Sequence, residues 1–446
     1  MIKKIKFKDG RREIYFGKKK VFTYINKKYF FNYIKSKEKI DINHVNDCIA
    51  KNLINIKQKL KDGQKINFGF FIIRDSMFPA FPLIDKILEY EIFNPIIVII
   101  PYNDLPKKEQ MEAFDSTHNY VVKKYPDIEI IKAYDENNGK CVDVSDRLDI
   151  TCLTTPYCNV LNPLHRAEYL FDKKVLPIHI FYGFTSNFNY DLYNIFSQSE
   201  LRFCWKIFLD AKYAEDKITL MYRDLDNKLV TSGCVKLDAI KCFSKKNNFK
   251  KTIILAPHHS IGDSVPDLKL STFLKFSDFF LELPKLYSDI NFIFRPHPFL
   301  KIRMQSDDYW GVEKTEKYFN TLESYPNVVS KYTNEYFKEF VESDGIITDC
   351  GSFLAEYLCV DNPGCYLLKN EKATNLTFSD LGKECLQHYY IAYNQNDILD
   401  YINNIVIGGM DYKKEKRHNF VKNHISFNDF NTSKYILDYI VNQIKI

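Results

Sequence analysis

Three short motifs carry the groups that could do chemistry, and each stands just after an apolar, strand-sized run. Ala256-Pro257-His258-His259-Ser260 follows residues 252–255, and Arg295-Pro296-His297-Pro298 follows residues 291–294. Asp349-Cys350-Gly351-Ser352 follows Gly345-Ile346-Ile347-Thr348 and opens onto a helix-like Phe353-Leu354-Ala355-Glu356. Imidazoles, an arginine and the first amides of a helix all offer N–H groups to oxygen, and together they suit a diphosphate. Prolines on both sides of His297 restrict the backbone and hold its ring in one direction. An extended backbone would send His258 and His259 to opposite sides, so one of the two is expected at the site. Each motif also has a plain structural reading. Ser352 can be an ordinary helix N-cap, a histidine after a strand is often only a hydrogen-bonding group, and Arg295 can simply pair with a carboxylate.

These loops need strands to bring them together. From Lys65 onward, apolar runs alternate with amphipathic stretches. Strands are expected at Ile66–Ile73, Pro95–Pro101, Ile128–Ala133, Leu148–Leu153 and Val175–Tyr182. A second series is expected at Thr252–Ala256, Asn291–Arg295, Asn327–Ser330, Gly345–Thr348 and Gly364–Leu368. Helices are expected between them, at Ala80–Tyr90, Lys107–Lys124, Leu164–Asp172, Tyr190–Gln198, Leu268–Tyr287, Asn334–Ser343 and Phe353–Cys359, with two or three more closing the chain. Continuous apolar strands between helices mean parallel sheets covered on both faces. Ligands bind such sheets at the carboxyl ends of strands.

The architecture expected is α/β, two Rossmann-like domains facing a cleft. Its parts are a basic hairpin and helical segment (1–64), an acceptor domain (65–242), a linker (243–251), a nucleotide-donor domain (252–430) and a C-terminal helix (431–446). Within the first domain, the turns Arg74–Pro79 and Tyr182–Asn187 stand at strand ends. Asp75 there is a candidate base, and Ser76, Tyr182, Gly183 and Asn187 are acceptor-side candidates.

Composition narrows the class. The eleven cysteines are scattered without a CxxC pair, which argues for reduced thiols and against a zinc site or disulfide framework. No apolar run approaches a membrane span and no signal peptide is evident, so a cytoplasmic protein is expected. Residues 1–66 carry 19 Lys/Arg against 6 Asp/Glu, or +13, leaving 44 against 51, or −7, for the rest. An Asp-Gly turn near Lys8–Arg11, then amphipathic stretches over Lys27–Ser36 and Val45–Leu60, make this arm a candidate for the inner face of the plasma membrane. A solvated face in a Lys-rich chain has the same composition. No nucleic-acid-binding module is recognisable.

Arg295–Pro298, followed about fifty residues on by Ser343–Leu358 (SDGIITDCGSFLAEYL), resembles the CDP-glycerol glycerophosphotransferase family. That family builds teichoic acids and capsules on a GT-B fold. NPGCYLL at Asn362–Leu368 is similar to the strand that follows in the family. The resemblance covers roughly Thr252 to Leu368. It implies that His297 and Ser352 contact the donor diphosphate and that Arg295 and Asp349 shape the pocket. Gly351, Glu356, Pro257 and Ser260 are grouped with them on the donor side. Two departures stand out. The family's imidazole-bearing HGTP motif is Tyr182-Gly183-Phe184-Thr185 here, with His179 on the preceding strand. Its threonine–Trp–Arg is Pro257-His258-His259. The base is therefore sought among Asp75, His258 and His259.

The reading that follows is a transferase moving glycerol phosphate, or a related polyol phosphate, from a CDP-activated donor to a hydroxyl of a cell-surface glycan or lipid-linked precursor. No cofactor or metal is called for. A GT-B glycosyltransferase using a nucleotide sugar is the alternative, and a non-enzymatic subunit binding an anionic polymer ranks below both.

Overall fold

A computed structural model describes residues 40–155, 157, 160–186, 195–245, 249–262, 270–332, 335–371 and 377–445, the side chains of Ala214 and Lys217 apart, and the backbone of 2–6, 12–16 and 19–24. The turn at Lys8–Arg11, the stretch Lys27–Ser36, Asn187 and most of the expected helix 190–198 lie outside the described residues. Near the N-terminus β1 (Ile2–Lys6), β2 (Arg12–Phe16) and β3 (Lys19–Tyr24) form an antiparallel sheet. The helix Ile42–Lys61 follows. Asp41 caps it by accepting from the N–H groups of Asn43 and His44.

Contacts divide the chain into two compact units. The first takes in residues to Gly183, Leu192–Asp238 and Asn431–Ile446, and the second Phe184–Asp191 and Ala239–Phe430. The main division falls at residue 238, a few residues before the expected 242, and the C-terminal helix, set apart from both domains in the sequence-based expectation, groups with the first unit. That helix (Thr432–Ile444) belongs to the first unit, where Tyr439 meets Phe208 edge-on and Tyr90 donates to Asp438 at 2.7 Å.

In the first unit lie β4 (Ile66–Ile72), β5 (Phe93–Ile99), β6 (Glu129–Lys132), β7 (Tyr134–Asp135), β8 (Lys140–Cys141), β9 (Ile150–Leu153), β10 (Leu176–Ile180), β11 (Lys206–Leu209) and β12 (Leu229–Thr231). Seven of them make one parallel sheet in the order β12-β11-β10-β9-β4-β5-β6. The order reverses between β4 and β9, which makes their carboxyl ends the switch point.

In the second unit β13 (Thr252–Ala256), β14 (Asn291–Phe294), β15 (Val328–Ser330), β16 (Gly345–Thr348), β17 (Gly364–Leu367) and β18 (Tyr390–Ala392) form a parallel sheet ordered β15-β14-β13-β16-β17-β18. In chain order this is 3-2-1-4-5-6, the nucleotide-binding arrangement, with its switch point between β13 and β16. Apolar side chains bury one face of the sheet: Phe273, Phe280 and Leu283 from the helix Phe273–Leu286, Phe292 and Phe294 from β14, and Leu300 and Phe319 beyond. Burying each contributes roughly 2 kcal/mol, so the strand ends are held by the core rather than by the polar loops.

Candidate active site

Because β13 lies between β14 and β16, the loops leaving the three strands start side by side. Two main-chain bonds carry the β13–β14 pairing past the strands: Arg295 N donates to Leu255 O at 2.8 Å, and His297 N to Pro257 O at 3.0 Å. That continuation sets His297 against the His258–His259 pair. The ring centroids of His259 and His297 are 3.9 Å apart, those of His258 and His259 4.4 Å, and those of His258 and His297 5.1 Å. The expectation that only one of the pair faces the site is therefore corrected. The backbone is not extended past Pro257, and all three rings meet.

On the other side of β13, Asp349 joins the third loop to the first. Its Oδ1 accepts from His258 N at 2.6 Å, and its Oδ2 accepts from Thr272 N and, at 2.8 Å, from Thr272 Oγ1. Asp349 is fully buried, and burial pushes its carboxyl up to about 6 against the opposing pull of those donors. Both oxygens are occupied, so Asp349 positions the histidine loop and does not itself face a ligand.

The hydrogen bonds fix two tautomers. His258 Nδ1 accepts from Ser260 N at 3.2 Å and pairs with Ser260 Oγ at 2.8 Å, while that hydroxyl accepts from the N–H groups of Leu270 and Ser271. The hydroxyl's own hydrogen is thus directed at His258. His297 Nδ1 accepts from Phe299 N at 3.2 Å. In both neutral rings the proton then resides on Nε2. His259 Nδ1 is buried without a partner among the described residues.

The three histidines have ligand atoms within 4.8 Å of one another, close enough to hold a metal ion. Two of the three, however, present N–H rather than a lone pair, which suits an anion and opposes a cation. Burial, neighbouring imidazoles and the Arg303 guanidinium hold all three neutral. His258 is driven well below its usual range, His259 to about 4 and His297 to about 3.

Several residues grouped on the donor side have other tasks. Arg295 is buried and pairs with Glu339 at 2.5 Å, beneath the Tyr336 ring. Glu356 is fully buried and accepts from Tyr336 Oη. Ser260 is buried within the histidine loop, and Pro257 contributes its carbonyl. Ser352 is half-buried but has helical backbone angles and caps nothing. Its Oγ lies 3.3 Å from Cys350 Sγ, and the helix it was expected to open is the short α-helical turn Phe353–Glu356 continued as a 3-10 helix over Tyr357–Val360. Gly351 is buried and its carbonyl accepts from Ser186 Oγ at 3.0 Å.

In the first unit, Asp75 and Ser76 are half-buried at the carboxyl end of β4, on the switch point, where Asp75 Oδ1 accepts from Thr117 Oγ1 at 3.2 Å. Tyr182 and Gly183 are half-buried beyond β10. His179 is buried against Phe181, its pKa lowered to about 3 by desolvation. Two residues were missed by the sequence reading. Arg303 stands near all three histidines, and Phe299 is 50% exposed with its ring stacked 5.8 Å from that of His297. Both lie on the helix Phe299–Met304 that starts directly after the RPHP motif, and that adjacency was the available signal.

Residues 235–442, a span holding all three loops, match the model of the CDP-glycerol:poly(glycerophosphate) glycerophosphotransferase family. Over that span the chain is similar to this family. The match indicates a glycerophosphotransferase-like transferase. No curated protein matches the chain. Among solved structures, the wall teichoic acid polymerase TagF is similar over 94% of this chain and 98% of its own, at 12% identity and a TM-score of 0.55. UDP-GlcNAc 2-epimerase from Neisseria meningitidis, bound to UDP-GlcNAc, is similar over 85% and 100%, at 14% identity and 0.53. S. aureus MnaA with UDP is similar over 85% and 96%, at 14% identity and 0.52. These likenesses are of fold, and the fold is GT-B-like, as the sequence predicts.

Proposed function

We propose that this protein moves glycerol phosphate, or a related polyol phosphate, from a CDP-activated donor to a hydroxyl of a cell-surface glycan or its lipid-linked precursor. The acceptor oxygen attacks the phosphorus bearing the polyol. The bond from that phosphorus to the bridging oxygen breaks, CMP leaves with the electron pair, and the acceptor's proton passes to a base. The observation that supports this reading most is the pair of Nε2–H donors, on His258 and His297, at the switch point of the nucleotide-binding sheet. Such donors meet diphosphate oxygens and stabilise the charge that gathers on departing CMP.

His258 is unsuited to act as the base, since its lone pair is engaged by Ser260 N–H. Asp75 and His259 remain for that role. The cluster supplies charge stabilisation without a cation, so turnover is proposed to survive a chelator. A variant of the polymerase TagF was solved after a soak with CDPG, which supports the choice of donor. The basic N-terminal arm is proposed to keep the enzyme at an anionic membrane surface. No described helix is long and apolar enough to cross a membrane.

The test is CMP release and calorimetric binding with CDP-glycerol, CDP-ribitol and UDP-GlcNAc. The expected result is binding and turnover with a CDP-polyol alone. Turnover of UDP-GlcNAc, or silence with both CDP-polyols, would sink the proposal.

A further inference from the structure

The N-terminal unit holds a cavity of about 400 Å³ that none of the sequence-chosen residues enters. It opens among loops at the carboxyl edge of the sheet. Asn103 follows β5, Lys107 and Gln110 lie in the first turns of the helix Lys107–Lys124, Tyr134 is on β7, Lys140 on β8, and Asn162 beyond β9. Asn103 N donates to Val160 O at 3.1 Å and ties the loop after β5 to the one after β9.

The lining is uniform in sense: none of its residues is acidic. Its side-chain amide oxygens each accept a hydrogen bond already. Gln110 Oε1 accepts from Lys107 Nζ at 3.2 Å, Asn103 Oδ1 from Gln110 Nε2 at 3.2 Å, and Asn162 Oδ1 from Leu164 N at 3.1 Å. Lys107 also donates to Tyr134 Oη and sits 4.1 Å above its ring. Among the described residues the Lys140 ammonium and the amide N–H groups of Asn103 and Asn162 keep donors to spare. A cavity of small-ligand size that offers two ammonium groups and amide N–H, with no carboxylate, selects an oxygen-rich anion. Lysine meets phosphate as a point charge without fixed geometry, so hydroxyl groups beside it can be read by the amides.

We propose that this cavity binds a phosphate-bearing polyol, the end of the acceptor that receives the transferred group. The word acceptor rests on the function proposed above. The preference for an oxygen-rich anion rests on the cavity alone.

The experiment is calorimetric titration of the full chain with sn-glycerol 3-phosphate, with glycerol as the uncharged control. Binding of the phosphate and not of glycerol is expected, weakened about tenfold in Lys140→Gln and further in the Lys107→Gln, Lys140→Gln double variant. Lys140 is exposed and outside the core, so its variant folds even if loss of the Lys107–Tyr134 contact disturbs the double. In a transfer assay Lys140→Gln should raise KM for a glycerol-phosphate-ended acceptor and leave CDP-glycerol affinity as it was. Competition by phosphatidylglycerol vesicles would identify a lipid headgroup as the source of the ligand, and absence of competition a soluble chain end. Equal affinity in wild type and Lys140→Gln overturns the proposal. Glycerol phosphate binding without any CDP-glycerol binding would instead overturn the transferase reading and leave the cavity's assignment standing.

Discussion

His297 Nδ1 accepts from the Phe299 amide, and His258 Nδ1 from the Ser260 amide, so each ring can offer only Nε2–H to a ligand. Removing a hydrogen bond to a charged group costs about 1.5–3 kcal/mol. His297→Ala is therefore expected to weaken CDP-glycerol binding roughly ten- to a hundredfold by calorimetry, and unchanged affinity would place the diphosphate elsewhere. The neutral state of the cluster has a second consequence. A bound diphosphate favours the charged imidazole, so binding should take up a fraction of a proton and tighten as pH falls from 7 toward 6. Titration in buffers of different ionisation enthalpy measures that uptake; a release of protons would contradict it. The free protein has the opposite dependence. His259 and His297 have folded pKa values near 4 and 3, below the ordinary 6.5. The unfolded chain therefore binds more protons across that window, and their contribution to stability rises with pH from about 4 and levels off above 6.5. The chemistry of the motifs was legible in the sequence, but the direction of each side chain was not. Arg295 and Glu356 read as pocket groups because polar residues after strands often face ligands. What turns Arg295 inward is Glu339, a partner 44 positions away that no local pattern announces.

The elements that hold these rings can be tested without touching them. Asp349 links the loop after β16 to the loop after β13 and to Thr272, the residue before the helix Phe273–Leu286. In Asp349→Asn one oxygen becomes an N–H₂ that must face an existing donor while buried. Roughly 2–4 kcal/mol of stability should be lost in denaturant titrations, and donor affinity should fall with it although no ligand contact was removed. A change near zero would mean the carboxylate is not what joins the loops. The segment Phe184–Ser186 offers a second case. Ser379 N donates to Ser186 O at 2.9 Å, Ser379 Oγ to Thr185 O, and Ser186 Oγ to Gly351 O. A Cβ on Gly382 would stand 2.2 Å from Ser186 O. Gly382→Ala must push that backbone away, so a loss of about 1–3 kcal/mol is expected, and an unchanged melting temperature would show the contact is slack. All ten strand-like runs in the sequence become strands; most are buried apolar segments bounded by polar turns, while the edge strands β6 and β15 are only partly buried. Three of those passed over, β11, β12 and β18, have only three or four residues. Such runs are too short to show a period, and their pairing comes from a neighbour already in place.

At the scale of the molecule, charge is the property with a consequence beyond any one site. Residues 1–66 carry +13 and the remainder −7, so the two parts respond oppositely to a charged surface. Each Lys or Arg near an anionic leaflet contributes about 1 kcal/mol, and the attraction fades within a Debye length of about 10 Å at 0.1 M salt. A few lysines of the arm near a bilayer would hold the protein there at low salt, while the acidic remainder would be repelled. Cosedimentation should show binding to vesicles rich in phosphatidylglycerol, no binding to zwitterionic vesicles, and release of bound protein near 1 M salt. Replacing Lys18, Lys19 and Lys20 by Gln lowers the arm's charge without changing its apolar residues, and should reduce vesicle binding several-fold. If binding persists in high salt and in that variant, the aromatic residues at Tyr29, Phe30, Phe31 and Tyr33 would be the anchor and apolar insertion the force. Equal binding to both vesicle types would remove charge from the explanation altogether, and with it the reason for placing an acceptor-handling enzyme at an anionic surface.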